Sequence, residues 1–268
     1  MLGLSYSVAG DPRCPAILFL HGFLGSGADW TGAISALDER FYCVAPDLPG
    51  HGASLGLPPE CYTMEGTTRA LLDLLDDLDI ERAALVGYSM GGRLALYLAL
   101  RHPARCHPAR CSRLFLESAS PGIESEAERQ ARRRSDEEKA ARLELGDLKS
   151  FLDDWYRQPL FAALARREGL LQETIGARLR NDPTELARSL RGMGAGEQAP
   201  MWDRLGVLQV PALAVAGGLD ERYASIARRM ASVNPLVRAA VVTGAGHSVR
   251  LEAPEAYLAL LKRSLDTP

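Results

Sequence analysis

The chain has 268 residues, of which 47% are hydrophobic and 24% charged, and its formal net charge is −3 at pH 7. This length and composition are typical of one large globular domain, and the small charge gives no sign of binding to nucleic acid or to a membrane surface. No apolar run reaches the roughly 18 residues of a membrane-spanning helix, and residues 1–10 carry no signal-peptide pattern. We therefore expect a cytoplasmic protein.

Short apolar runs that are typical of buried strands alternate along the chain with amphipathic runs that are typical of helices. The predicted strands are Ile17–Leu20, Tyr42–Ala45, Ala83–Val86, Leu114–Leu116, Ala212–Ala216 and Ala239–Val242. The predicted helices between and after them are Thr63–Leu78, Arg93–Arg101, Tyr223–Val233 and Pro254–Leu265. This alternation predicts an α/β fold with a mostly parallel sheet and helices on both of its faces.

One long stretch, residues 124–205, interrupts the alternation because it contains no strong strand signal. Helical patterns fill it at Glu124–Leu148, Leu152–Arg167, Leu170–Arg180 and Thr184–Leu190. Open parallel sheets bind their ligands at the carboxyl ends of the strands, so we expect these helices to cover that edge as an inserted helical lid. The predicted organisation is a core of residues 1–123 and 206–268 with a lid of residues 124–205.

Residues Gly87–Gly91 read Gly-Tyr-Ser-Met-Gly between a predicted strand and a predicted helix. This is the G-x-S-x-G pattern in the strand–turn–helix context where a strained turn exposes a nucleophilic serine. Such a turn leaves no room for side chains at its two flanks, and glycine occupies both. Ser89 is therefore the candidate catalytic serine.

A catalytic serine needs a histidine to take its proton and a carboxylate to orient that histidine. His247 and Asp220 each lie in a loop that directly follows a predicted strand, and so at the same edge of the sheet as Ser89. The order Ser, Asp, His along the chain is that of α/β-hydrolases. Glu221 is the alternative acid.

An oxyanion hole is predicted from two backbone N–H groups, those of Phe23 and Met90. Phe23 lies in the loop after the first predicted strand, and Met90 lies at a helix N-terminus, where the helix dipole favours negative charge. His21, in the same loop as Phe23, is interpreted as a residue that braces the loop.

A direct repeat and the cysteines bear on metal binding. The chain reads His-Pro-Ala-Arg-Cys twice, at His102–Cys106 and His107–Cys111. Histidine and cysteine can ligate zinc, but a repeat with two prolines is more typical of a lengthened surface loop. The five cysteines are odd in number and form no C-x-x-C pair, so we expect free thiols and no metal site.

Longer motifs carry a resemblance to a known family. They are LHGFLGSGADW (20–30), DLPGHGAS (47–54), LVGYSMGGR (85–93), ESASPG (117–122), RRRSD (132–136), DWYRQPLFA (154–162) and RLRNDP (178–183). The first three, with GAGH (244–247), are shared widely in the α/β-hydrolase fold, which the whole chain resembles. DWYRQPLFA makes it most similar to the 2-succinyl-6-hydroxy-2,4-cyclohexadiene-1-carboxylate synthases of menaquinone biosynthesis. The departures are the repeat and Met90, where leucine is common.

The resemblance implies a carbon–oxygen lyase rather than a hydrolase. Its substrate would be 2-succinyl-5-enolpyruvyl-6-hydroxy-3-cyclohexene-1-carboxylate, from which it removes a ring proton and eliminates pyruvate by 1,4-elimination. A small-molecule polycarboxylate implies arginines as its ligands. Carried over by motif, the substrate-binding residues are Tyr88, Arg93, Arg132, Trp155 and Arg180. Arg133 and Arg134 are alternatives to Arg132. No cofactor is implied, and the sequence leaves the oligomeric state open, with a monomer compatible.

The alternative function is that of an esterase or carbon–carbon-bond hydrolase that uses Ser89 as a covalent nucleophile. The triad serves both chemistries, and fold does not fix function. The arginines favour the lyase, because a simple ester pocket is mostly apolar. A non-catalytic binding protein on the same fold is less favoured, because a binder has no need of an intact triad.

Overall fold

A single seven-stranded sheet forms the centre of the molecule in a computed structural model, which describes residues 3–101 and 110–266. Its order is β1-β3-β2-β4-β5-β6-β7, and every neighbouring pair is parallel except β1–β3. The strands are β1 Tyr6–Ala9, β2 Ala16–Leu20, β3 Tyr42–Pro46, β4 Ala83–Tyr88, β5 Cys111–Glu117, β6 Ala212–Gly217 and β7 Val237–Val242. The predicted α/β architecture is confirmed. Most of the repeat, residues 102–109, lies outside the described residues.

Helices connect these strands and also fill a long insertion between β5 and β6. They are α1 Thr31–Ile34, α2 Met64–Asp77, α3 Met90–Arg101, α4 Glu126–Leu145, α5 Leu148–Tyr156, α6 Ala162–Ala165, α7 Glu168–Arg178, α8 Pro183–Met193, α9 Glu221–Val233, α10 Val249–Glu252 and α11 Pro254–Asp266. Helices α4 to α8 make up the insertion. Within the described residues, no helix is long and apolar enough to cross a membrane.

Both faces of the central strands β2, β3 and β4 are buried, which explains why these strands read as continuous apolar runs. In β2, Leu18 and Leu20 pack in one hydrophobic cluster with Leu71 of α2. The alternate residues, such as Phe19, pack in a second cluster with Tyr257 of α11. Side chains alternate between the faces of a strand, so one apolar run supplies both clusters.

The insertion has a hydrophobic cluster of its own. Phe151, Leu164 and Leu186 are buried in it together with Leu24, which belongs to the loop after β2. Leu24 therefore connects the hydrophobic cluster of the insertion to the loop between β2 and α1. Because α4 to α8 pack on each other around this cluster, they can hold side chains in fixed positions above the sheet.

One strand, β1, is missing from the sequence prediction. It lies at an edge of the sheet and pairs antiparallel with β3, and its residues Tyr6 and Val8 are 45% and 49% exposed. The reading Tyr-Ser-Val-Ala contains no continuous apolar run because this strand is not buried on both faces. The six predicted strands all coincide with observed ones.

Candidate active site

The turn after β4 gives Ser89 a backbone conformation that few non-glycine residues adopt. Its φ is 50°, in the left-handed region, and the helix α3 begins at the next residue. A Cβ on Gly91 would lie 2.1 Å from the carbonyl oxygen of Leu20, and one on Gly87 would lie 2.5 Å from that of Gly91. Only glycine fits at either flank. The turn therefore raises the Ser89 hydroxyl beyond the carboxyl end of the sheet, where it lines a cavity.

A chain of hydrogen bonds connects Ser89 to His247 and His247 to Asp220. His247 Nδ1 is 2.7 Å from Asp220 Oδ2, and its Nε2 is 3.4 Å from Ser89 Oγ. Because a carboxylate only accepts, Nδ1 carries the hydrogen and Nε2 can accept from the hydroxyl. The alternative acid, Glu221, is exposed at the start of α9. The loops after β4, β6 and β7 thus bring together the three residues that the sequence predicts.

The loop that carries His247 is fixed by Glu252, a residue that the sequence prediction missed. Glu252 is 4% exposed, and its two carboxylate oxygens accept the N–H groups of Gly246 and Ser248 at 2.7 and 3.0 Å. The Ser118 hydroxyl donates to the His247 carbonyl at 2.7 Å. These bonds on both sides of His247 hold the imidazole in place, as a preorganised site requires.

The two residues predicted to supply the oxyanion donors, Phe23 and Met90, line the same cavity as Ser89. Met90 is the first residue of α3, so its N–H has no acceptor in a preceding helical turn. Phe23 lies in the loop after β2, and among the described residues no acceptor is bonded to its N–H. His21 Nε2 accepts the Leu48 N–H at 2.9 Å, which fits its interpretation as a loop brace.

A cavity of about 250 Å³ lies over Ser89 and His247, between the sheet edge and the inserted helices. Its lining includes Tyr88 and Trp155, as the resemblance implies. The Tyr88 hydroxyl lies 2.7 Å from Ser248 Oγ, and the Trp155 ring packs 5.2 Å from that of Phe23. The cationic side chains of the lining are Arg93, Arg132, Lys139, Arg178 and Arg250. A cavity with this lining is suited to an anionic ligand.

Arg93 brings a buried positive charge to the cavity, and no carboxylate of the described part of the chain forms an ion pair with it. It donates to Gln198 Oε1 at 3.2 Å and to the Met193 carbonyl at 2.6 Å, and it is 8% exposed. Burial, with the nearby charge of Arg132, lowers the pKa of Arg93 to about 10, so it remains charged at neutral pH. A ligand carboxylate would relieve this unbalanced charge.

Of the three consecutive arginines in α4, the structure brings Arg132 to the cavity. Its Nε donates to Asp136 at 2.8 Å. Arg133 instead donates to the Gly196 carbonyl and pairs with Glu126, and Arg134 is exposed. The helical period explains the difference, because neighbouring residues point in directions about 100° apart.

The structure does not bring Arg180 to the cavity, which corrects the sequence-based assignment of this residue. Arg180 is exposed in the turn after α7, whereas Arg178 is buried and lines the cavity. Arg178 forms a bidentate ion pair with Asp29 at 2.5 and 2.7 Å. The motif RLRNDP contains both arginines, and only the position where α7 ends decides which of them points inward.

A buried ionic network extends from Arg178 beneath the cavity. Arg250 Nη2 lies 3.3 Å from Asp29, and the backbone N–H of Arg250 donates to Glu117 Oε1 at 2.9 Å. The guanidinium of Arg250 lies 4.1 Å from the centre of the Tyr88 ring, a cation–π distance. Burial raises the pKa of Glu117 to about 7. The network therefore contains a carboxyl group that titrates near neutral pH.

This titration makes stability depend on pH in a defined direction. Because the folded-state pKa of Glu117 lies above its ordinary value of 4.5, folding favours the protonated form. Its contribution to the free energy of unfolding is fully present below pH 4.5 and is lost as pH rises to about 7, a change of about 3 kcal/mol. When the pH is lowered from 7.5 to 5, the free energy of unfolding in urea should change less favourably for Glu117→Gln than for the parent, because only the parent gains the contribution of Glu117. Glu128→Gln, on the exposed part of α4, is the control. Equal pH differences in parent and Glu117→Gln would contradict the expectation.

Comparison with known proteins agrees with this fold. The family model described as the alpha/beta hydrolase fold matches residues 15–254. The 2-succinyl-6-hydroxy-2,4-cyclohexadiene-1-carboxylate synthase of Serratia proteamaculans is 32% identical, with 100% of each chain covered. A Bacillus subtilis protein provisionally given the same name is 35% identical over 95% of this chain and 92% of its own. The solved structure of MenH from S. aureus superposes with a TM-score of 0.90 at 31% identity, covering 97% of both chains.

The chain therefore has the α/β-hydrolase fold, and it belongs to the 2-succinyl-6-hydroxy-2,4-cyclohexadiene-1-carboxylate synthase family within it. Members of this family are enzymes.

Proposed function

We propose that this protein is a lyase of menaquinone biosynthesis that eliminates pyruvate from 2-succinyl-5-enolpyruvyl-6-hydroxy-3-cyclohexene-1-carboxylate. The observation that carries the proposal is a serine–histidine–aspartate array that opens into a cavity with five cationic side chains. An ester pocket would be mostly apolar. The names of the relatives support the same choice over an esterase.

The catalytic base in this proposal is Ser89. Its proton passes to His247 Nε2, and the imidazolium that forms is stabilised by Asp220. The Ser89 oxygen then takes a proton from a ring carbon of the substrate. The electron pair of that C–H bond moves through the ring and expels the enolpyruvyl oxygen. The His247 imidazolium then gives its proton to the released enolate, which yields pyruvate and restores the neutral imidazole. No covalent bond to Ser89 is needed.

The oxyanion donors serve this chemistry as well as they would serve acyl transfer. Removing the ring proton creates enolate-like negative charge, and the N–H groups of Phe23 and Met90 would stabilise it. The Met90 N–H belongs to the first turn of α3, so the dipole of that twelve-residue helix adds to the effect. No metal or organic cofactor takes part in this scheme.

The carboxylates of the substrate are proposed to bind Arg93 and Arg132, with Tyr88 and Trp155 as walls of the pocket. A planar guanidinium recognises a carboxylate through two parallel hydrogen bonds, and no carboxylate of the described residues is hydrogen-bonded to Arg93. We also propose that residues 124–205 act as the lid of a core formed by residues 1–123 and 206–268. Arg132 and Trp155 both belong to this segment, so it would contribute directly to substrate binding.

Pyruvate release tests the function. The purified protein is supplied with the enolpyruvyl substrate, and pyruvate is followed by its reduction with lactate dehydrogenase and NADH. A nitrophenyl ester is assayed in parallel. We expect pyruvate to form with a much higher kcat/KM than that of ester hydrolysis. Efficient ester cleavage without pyruvate release would instead support the esterase alternative.

A further inference from the structure

Carboxylates in contact offset the positive charges of the cavity more fully near Asp29 than near α3 and α4. Arg178 and Arg250 share the carboxylate of Asp29, and Arg250 Nη1 also lies 3.8 Å from Glu117 Oε2. On the wall formed by α3 and α4, Arg132 is paired with Asp136. Neither Arg93 nor Lys139 forms an ion pair with a carboxylate among the described residues. An anionic ligand would therefore be attracted to the wall of α3 and α4.

Lys139 is the residue of this wall that neither the motifs nor the family resemblance single out. It lies on α4, seven positions after Arg132 and four after Ser135, so the three side chains share one face of the helix and all line the cavity. Burial lowers the pKa of Lys139, as expected for an ammonium group without a counter-charge in contact.

The hydrogen bonds of Lys139 leave room for a ligand. Its Nζ donates to the Ser135 hydroxyl and, at 3.1 Å, to the Ser135 carbonyl. An ammonium group has three N–H bonds, and the third has no acceptor among the residues that the structure describes. The Ser135 contacts hold the ammonium in place, so a carboxylate could be bound at a small further cost in side-chain entropy.

We propose that Lys139 and Ser135 form a carboxylate subsite beside Arg132, and that this subsite selects substrates with an additional carboxylate. The inference rests on the proposed function for the identity of the substrate. Arg132 and Lys139 would then bind two different carboxylates of one substrate molecule, or the two oxygens of a single carboxylate. Loss of the ammonium would weaken binding of the polycarboxylate and leave the proton-transfer step largely intact.

The test uses a stable diacid whose binding does not depend on turnover. The probe is 2-(3-carboxypropanoyl)benzoate, with its two monomethyl esters as ligands that each lack one carboxylate. Calorimetry would compare the parent with Lys139→Met, which removes the charge and keeps the length of the side chain. Lys149→Met is the matched control, because Lys149 lies on α5, pairs with Asp153 and does not line the cavity.

We expect Lys139→Met to weaken binding of the diacid by about tenfold, the effect of losing one charge-assisted hydrogen bond. One of the two esters should bind parent and Lys139→Met equally, which would identify the carboxylate that Lys139 contacts. Lys139→Arg, which keeps the charge, should restore most of the affinity for the diacid. If Lys139 had only a structural role, its loss would weaken binding of the diacid and of both esters alike. Lys149→Met should bind all three ligands as the parent does.

An equal loss of affinity for the diacid and both esters would overturn the subsite, as would no loss or no measurable binding of the diacid to the parent. The inference and the proposed function can fail separately. Pyruvate release with a KM unchanged in Lys139→Met would leave the function in place and remove the subsite. If Lys139→Met weakens binding of the diacid but not of one ester, and the parent releases no pyruvate, the subsite would stand and the proposed function would fail.

Discussion

Replacing Ser89 with alanine should lower kcat for pyruvate release by a factor on the order of 10²–10⁴, because the base that removes the ring proton is lost. His247→Ala should cost a similar factor. The double variant should be no slower than the worse of the two, since the hydroxyl and the imidazole act as one unit. Initial rates at saturating substrate measure the effect.

A matched serine variant separates loss of the base from loss of structure. Ser232→Ala removes an exposed hydroxyl that donates only to a carbonyl within α9, and it should retain full activity. Circular dichroism should show that Ser89→Ala folds like the parent. Near-full turnover by Ser89→Ala would rule out Ser89 as the base and with it the proposed mechanism.

Arg93→Ala should produce the second largest loss, about 10² in kcat/KM. The change removes a buried charge that is proposed to bind a substrate carboxylate, and it leaves Gln198 and the Met193 carbonyl without their donor. Most of the loss should appear in KM, with a smaller decrease in kcat where the contact strengthens as charge develops. Arg93→Lys should rescue poorly, because an ammonium cannot form two parallel hydrogen bonds.

Arg180→Ala is the control for Arg93, because Arg180 is exposed and lies outside the cavity. We expect its kcat and KM to equal those of the parent. A large increase in KM for Arg180→Ala would show that the turn after α7 moves inward when substrate binds. Unchanged kinetics of Arg93→Ala would contradict its proposed role.

The parts of this site that the sequence predicts are those whose position depends on local structure. A serine in a glycine-flanked turn between a strand and a helix must lie at the carboxyl end of a parallel sheet. Asp220 and His247 follow strands of the same sheet, and parallel strands end at a common edge, so their meeting could be expected before any distance was known.

The parts that the sequence did not predict depend on contacts between distant segments. Arg178 and Asp29 are 149 positions apart, and nothing local in either segment shows that they pair. The choice between Arg178 and Arg180 depends on where α7 ends, and helix ends are the least certain feature of a sequence pattern. Glu252 reads as an ordinary charged residue until the fold buries it beside the His247 loop.

The central claim, elimination by Ser89 as a base, is tested most directly by mass spectrometry of rapidly quenched enzyme. Enzyme and the enolpyruvyl substrate are mixed at equal concentrations, and samples are quenched with acid at intervals over the time of one turnover. The masses of the protein and of the small-molecule products are measured in each sample. The account predicts pyruvate and a product lighter than the substrate by one pyruvate, with the protein mass unchanged throughout. A substrate-derived adduct on Ser89 that forms and decays at the turnover rate would contradict it and show that Ser89 is a covalent nucleophile.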